Sequence, residues 1–223
     1  PTRRSSDLRN NMKIRKCILV AITAFISGCA PTPKETDGLC HIHGTVNERF
    51  EGKKIFLVPV DGPATMETVD SVVITNGKFA FQSEPGEMKS IRIDFRYRTG
   101  VEDLLLVMEP GDVEVIIDTI SSGKGTPMND TLQLWKERTM LYYGRLNPLH
   151  QKRQEAVKSG DKATAEAIKT EMEQLGKTYK KESRALADRL KEGPLYKFLD
   201  SRFPRSYQKK LPDGTITTVE VEY

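Results

Sequence analysis

The sequence predicts an all-β, sandwich-like antiparallel domain followed by an α-helical hairpin, so that the chain is α+β overall with its strands first. Three observations carry this. Between residues 39 and 122, apolar residues recur with period two in short runs separated by turn residues. From residue 129 the period changes to three and four. No helix-length segment lies between the strand runs, which disfavours an alternating α/β fold.

The strands come in order. Leu39 to Val46 gives the first, and Lys54 to Val60 the second, with Pro59 marking an edge or bulge. Thr68 to Thr75 and Lys78 to Gln82 flank Asn76-Gly77, the strongest hairpin signal in the chain, because a type I′ turn needs positive φ at both central positions. Ser90 to Arg98 alternates Ile91, Ile93, Phe95 and Tyr97 with Arg92, Asp94, Arg96 and Arg98. Leu104 to Met108 and Val113 to Ile117 are separated by the turn Glu109-Pro110-Gly111-Asp112. Short strands at this spacing favour a sandwich or barrel.

Residues 129–193 predict a helical hairpin. Asn129 or Asp130 is the expected cap. Leu132, Trp135, Tyr142, Leu146 and Leu149 line one arm; Ile168, Met172, Leu175, Tyr179, Leu186 and Leu190 line the other. Asn147-Pro148 should kink or interrupt the first arm. Ser159-Gly160-Asp161 makes the bend, and Gly193-Pro194 ends the second arm. The charged outer faces read first as solvation and i, i+4 pairing. Residues 194–223 predict a short helix and a terminal β-hairpin across Asp213-Gly214.

The N-terminal part has a different grammar. Residues 1–11 show no apolar period and are expected to be non-native leader, with Met12 as the start. Lys13, Arg15 and Lys16 precede an apolar stretch from Cys17 to Ile26, shorter than the ~20 residues that span a bilayer. It ends Ile26-Ser27-Gly28-Cys29, which resembles the lipobox of bacterial lipoproteins, with Ile where Leu is usual. The resemblance implies a lipoprotein signal peptide over 12–28, cleavage before Cys29, and lipid (palmitate-type acyl chains) on the Cys29 thiol. Each buried CH₂ is worth about 0.8 kcal/mol of membrane attachment. Residues 29–38, with Pro31 and Pro33, read as a tether. The absence of Asp directly after Cys29 resembles outer-membrane sorting signals. The expected location is therefore the cell envelope, on the periplasmic or the surface side of the outer membrane.

Charge excludes one function class. The chain holds 35 basic and 31 acidic residues, but six of the basic ones and a single acid precede Cys29. What remains is 29 basic against 30 acidic residues, a near-neutral mature protein. Nucleic-acid binding, which needs a retained basic surface, is not expected.

Bids for chemistry are few. In Cys40-His41-Ile42-His43 the two histidines share a strand face and Cys40 points the other way. His41 and His43 are the candidate metal ligands, yet structural zinc sites show paired ligands at wider spacings, so exposed imidazoles on a first strand are the preferred reading. Gly123-Lys124-Gly125-Thr126 lacks the spaced first glycine of a phosphate loop and reads as a flexible hinge. Arg92, Arg96 and Arg98 read as a solvated sheet face before a glycan or polyanion site. No Ser-His-Asp set or carboxylate pair stands out, so no catalytic residue and no cofactor is expected. With Cys17 removed and Cys29 acylated, Cys40 stands alone and forms no internal disulfide.

The ordered segments Asp70-Ser71, Asn76-Gly77-Lys78-Phe79, Glu109-Pro110-Gly111-Asp112 and Gly125-Thr126-Pro127-Met128-Asn129-Asp130 resemble the domain of unknown function of Bacteroidota lipoproteins, a β-rich domain often found before thioredoxin-like (AhpC-TSA) modules. Relatives with that module look like membrane-anchored thiol–disulfide oxidoreductases. This sequence has no C-x-x-C, and its segment after 194 is too short for a thioredoxin fold. The resemblance thus implies fold and address, not activity. The expected function is a non-catalytic envelope lipoprotein, attached to the membrane by its lipid, that binds a protein or other envelope component, with the helical hairpin as the candidate surface for a protein partner. The alternative is an accessory or regulatory partner of a periplasmic thioredoxin-like system, acting through Cys40.

Overall fold

The chain builds two four-stranded sheets by passing repeatedly from one to the other. The computed structural model describes residues 37–65, 67–93 and 100–223, within one compact unit, Thr36–Tyr223. The leader, the expected signal peptide, Cys29, most of the tether and residues 94–98 of the fifth predicted strand lie outside the described residues.

The strands are β1 (Cys40–Val46), β2 (Lys54–Pro59), β3 (Asp70–Val73), β4 (Lys78–Ser83), β5 (Met88–Ile93), β6 (Leu104–Val107), β7 (Gly111–Ile117) and β8 (Ser122–Lys124). One sheet has the order β4-β1-β7-β8 and the other β3-β2-β5-β6. The expected β-then-α organisation holds. Pairing is antiparallel except between β1 and β7, which run parallel. Parallel neighbours need a long connection, and here it is supplied by excursions through the second sheet.

Asn76-Gly77 makes the turn its sequence predicts, with φ of 54° and 64° and both Thr75–Lys78 backbone hydrogen bonds. It does not close a ladder between its flanking strands. Beyond that bridge, β3 pairs with β2 and β4 with β1, so the turn is a corner between sheets. The Glu51 carboxylate fixes the corner by accepting the N–H groups of Asn76 and Gly77 at 2.9 and 3.0 Å.

Between the sheets lies the first core cluster, including Ile42, Leu57, Phe81, Ile91, Leu104, Leu106 and Val113. Each such side chain stabilises the fold by about 2 kcal/mol on burial. Strands β1, β4 and β7 bury alternate residues and leave the others to solvent. The run Leu104 to Met108 does not alternate, because the sheet containing β6 is covered on both faces. Its second face carries Met88, Leu105 and Val107 into a second cluster with helix residues.

The helices are α1 (Pro127–Ser159), α2 (Lys162–Leu190) and α3 (Pro194–Arg202), followed by the hairpin β9 (Ser206–Lys210) and β10 (Ile216–Glu220). Leu132, Trp135, Leu186, Leu195 and Leu199 form the helical side of the second cluster. Helix α1 runs unbroken through Pro148. A helical proline leaves the carbonyl four residues earlier without its donor and crowds it; here that residue is Gly144, beside which a Cβ would meet nothing within 4 Å. The bend falls where expected. Gly160 ends α1 in the left-handed region at φ 79°, and the Asp161 side chain caps α2 by accepting the Thr164 N–H at 3.0 Å.

Candidate functional site

Two regions need a functional reading: the joint between sheet and helices, and the helical arm beyond it. The joint holds most of the motif residues. Helix α1 has Thr126 as its N-cap, without a side-chain cap bond, so neither Asn129 nor Asp130 caps it. The orphan N–H groups of the first turn are met from the sheet side instead. Glu109, in the β6–β7 turn, accepts from the Met128 and Asn129 N–H groups at 2.6 and 3.2 Å. Asn129 is released for another task. Its Oδ1 accepts the Val107 N–H at 2.9 Å, and its Nδ2 donates to the Val107 carbonyl at 2.8 Å.

Gly123-Lys124-Gly125-Thr126 is likewise part of this joint and not the flexible hinge its composition predicts. Ser122–Lys124 extends the sheet beyond residue 122 as β8, and Gly123 donates to the Gln133 side chain at 3.3 Å. At Gly125, with φ of +124°, a Cβ would stand 2.5 Å from the Asp112 carbonyl oxygen. Its N–H is held by Asp130 at 2.9 Å. These glycines are required by close packing, which leaves no need for a phosphate to explain them.

The candidate ligands on β1 lie on the outer face of their sheet. His41 is hydrogen-bonded through Nε2 to Asp37 at 2.9 Å and through Nδ1 to Gln82 at 3.3 Å. His43, half exposed, stands 3.5 Å from Asp112. His41 holds the Asp37 carboxyl below its ordinary value by hydrogen bonding. Among the described residues no three His, Cys, Asp or Glu side chains converge. Cys40 points inward, as its parity predicts, and is fully buried in the inter-sheet core. Burial pushes its thiol pKa up, more than the Glu109 N–H pulls it down. A neutral, inaccessible thiol is a poor nucleophile.

Beyond the joint, α1 and α2 form an arm. With 33 residues at 1.5 Å each, α1 is about 50 Å long. Its root is packed: Trp135 donates to Ser183 at 3.2 Å and meets Phe198 edge-on, and Tyr142 stacks on Tyr179 at 4.3 Å. Buried Arg184 ties the root to α3, bonding Asp188, Asp200 and the Phe203 carbonyl. From Lys136 to Glu155 in α1, and from Glu166 to Glu182 in α2, no residue is buried. Leu146, Leu149, Met172 and Leu175 are only half covered along the seam. Met140, Leu141, Tyr143 and Val157 are exposed. Open grooves flank the seam, among them one lined by Tyr142, Leu146, Arg153, Met172 and Lys180 and one lined by Arg145, Leu149, Lys152 and Glu171.

Charge separates the two regions more sharply than the near-neutral total implies. Residues 37–135 hold nine basic and sixteen acidic side chains, whereas residues 136–182 hold eleven basic and seven acidic. The sequence contained this signal, but it becomes meaningful only once the joint sets the boundary.

The molecule is thus a β-sandwich with a helical superstructure on one sheet. Residues 40–132 match the family model of a domain of unknown function (DUF4369). The match ends in the first turns of α1, so it contains Glu109, Gly125 and Asn129, the residues of the joint. Neither the curated proteins nor the solved structures offer a match.

Proposed function

We propose that this chain is a lipid-anchored protein of the cell envelope, attached through Cys29 to the outer membrane, whose helical arm docks a partner protein without catalysis. The observation that carries the docking role is the arm itself. It extends two long helices past the body while contributing no buried side chain over Lys136–Glu155. Such helices add little to the core and keep a half-covered apolar seam open to solvent. The anchoring role rests on the Ile26-Ser27-Gly28-Cys29 motif. No helix of the described residues is long and apolar enough to cross a membrane.

The accessory redox role draws no support from Cys40, whose thiol is enclosed between the sheets. A metal role for His41 and His43 would need further ligands from outside the described cluster.

The test uses the full chain in cells. Labelling with a clickable palmitate analogue should mark the wild type and not Cys29→Ser. A photo-crosslinker at Leu141 should give a discrete adduct. Excising residues 147–172 and closing the gap with Gly-Asn-Gly removes the outer arm but spares the stacked Tyr142 and Tyr179 of its root, and should remove that adduct. Labelling that survives Cys29→Ser overturns the anchor, and an adduct that survives excision overturns the docking arm.

A further inference from the structure

The grooves of the arm are not equivalent. The first, of about 550 Å³, is floored by Tyr142, Leu146 and Met172. Its rim carries Arg153, Lys169, Lys177 and Lys180 against a single acid, Glu173. Lys169 is engaged by Glu166 at 3.2 Å, but Arg153, Lys177 and Lys180 have no ion-pair partner among the described residues. The opposite groove sets Arg145 and Lys152 against Glu171, closer to balance.

Two further features belong to the basic groove. The Arg153 Nε is buried and has no hydrogen-bond partner among the described residues. A buried donor left this way is costly unless something completes it. Gly176, in the middle of α2, lines the same groove. Glycine inside a helix costs about 1 kcal/mol relative to alanine. A Cβ at Gly176 would meet only the Tyr142 hydroxyl, at an ordinary 3.7 Å. The arm's own packing therefore does not demand glycine, whereas close approach of another backbone does.

We infer that this groove receives an acidic amphipathic helix from a partner protein. Its apolar stripe lies on Tyr142, Leu146 and Met172, its backbone passes over Gly176, and its carboxylates meet Arg153, Lys177 and Lys180. The product is a three-helix bundle of the helix-in-groove type. A second copy of the arm is a poorer occupant, since it brings net positive charge to net positive charge. A lipid surface supplies anions but no helix to fill an apolar floor. The inference deepens the docking-arm reading and rests on it.

The probe is a 21-residue peptide with leucine at heptad positions a and d and glutamate at e and g. A lysine counterpart serves as control, and both are titrated into the full chain by fluorescence anisotropy. The acidic peptide should bind at least about tenfold more tightly, the combined effect of a few charge pairs. It should lose most of that advantage in about 0.5 M salt. The double variant Lys177→Glu/Lys180→Glu should abolish the preference. Gly176→Leu should weaken binding at least about tenfold while helix content by circular dichroism is kept. Equal affinity for the two peptides, or no binding of either, overturns the inference. So does charge-dependent capture of phosphatidylglycerol vesicles without peptide selectivity, or a dimer that dissociates on the same double reversal. If the arm-dependent adduct in cells persists while the peptides are not distinguished, this inference falls and the docking arm stands.

Discussion

The Asn129 carboxamide pairs with the Val107 backbone as a neighbouring strand would, accepting its N–H at 2.9 Å and donating to its carbonyl at 2.8 Å. Strand β6 is the edge of its sheet, and an edge residue otherwise leaves both groups unpaired. One side chain in the first turn of α1 thus ends the sheet and fixes where the helical arm begins. A third bond, from Nδ2 to the Thr126 hydroxyl at 2.8 Å, completes the amide.

Replacing Asn129 by Ala should destabilise the protein by about 2–3 kcal/mol, the cost of leaving the buried Val107 groups unmatched. Asn129→Asp should be worse, since a carboxylate would face the Val107 carbonyl in place of a donor. Urea unfolding curves check both, and an Asp variant as stable as wild type would contradict the pairing.

Gly125→Ala should cost several kcal/mol, because the new methyl meets the Asp112 carbonyl at 2.5 Å in a backbone conformation that L side chains rarely adopt. Lys124→Ala, one residue earlier and exposed, should change stability by about 0.5 kcal/mol or less. A phosphate loop would show the opposite emphasis, with the lysine dominating anion affinity. Thermal melts of the two variants, with and without inorganic phosphate, separate the readings.

Arg184→Met should cost about 2 kcal/mol, a figure reduced for the partial exposure of its carboxylate partners. Desolvation alone would raise the Asp188 carboxyl, but hydrogen bonds and charge from Arg184 and Arg205 outweigh it and hold the carboxyl below its ordinary 3.8. A depressed carboxyl stabilises the fold above its ordinary value and loses that contribution as pH falls through the depressed one. The gap between wild type and Arg184→Met should therefore be constant from about pH 5 to 8 and narrow below about pH 4. A gap that widens in acid would refute the assignment.

The Cys40 thiol should resist an aromatic disulfide reagent in the native state and react fully in denaturant. Its raised pKa means that the folded state keeps the neutral thiol after the unfolded chain has begun to ionise. Stability should accordingly decline as pH rises past the ordinary value of 9.0. Rapid native-state labelling would reopen the redox role that its burial argues against.

By itself the sequence determined the order of β1 to β7 and of the helices that follow, the Asn76-Gly77 and Gly160-Asp161 turns, and the inward placement of Cys40. These depend on local periodicity and backbone chemistry, which residue spacing records directly. Tertiary structure alone decided the parallel β1–β7 pair, the use of Asn76-Gly77 as a corner, and the burial of one sheet on both faces. It also converted Gly123-Lys124-Gly125-Thr126 from an apparent hinge into a joint, and met the first-turn N–H groups of α1 from Glu109 instead of from Asn129 or Asp130. Each of those outcomes joins residues distant in the chain through packing or hydrogen bonds, and no local pattern specifies which distant group will meet a given donor.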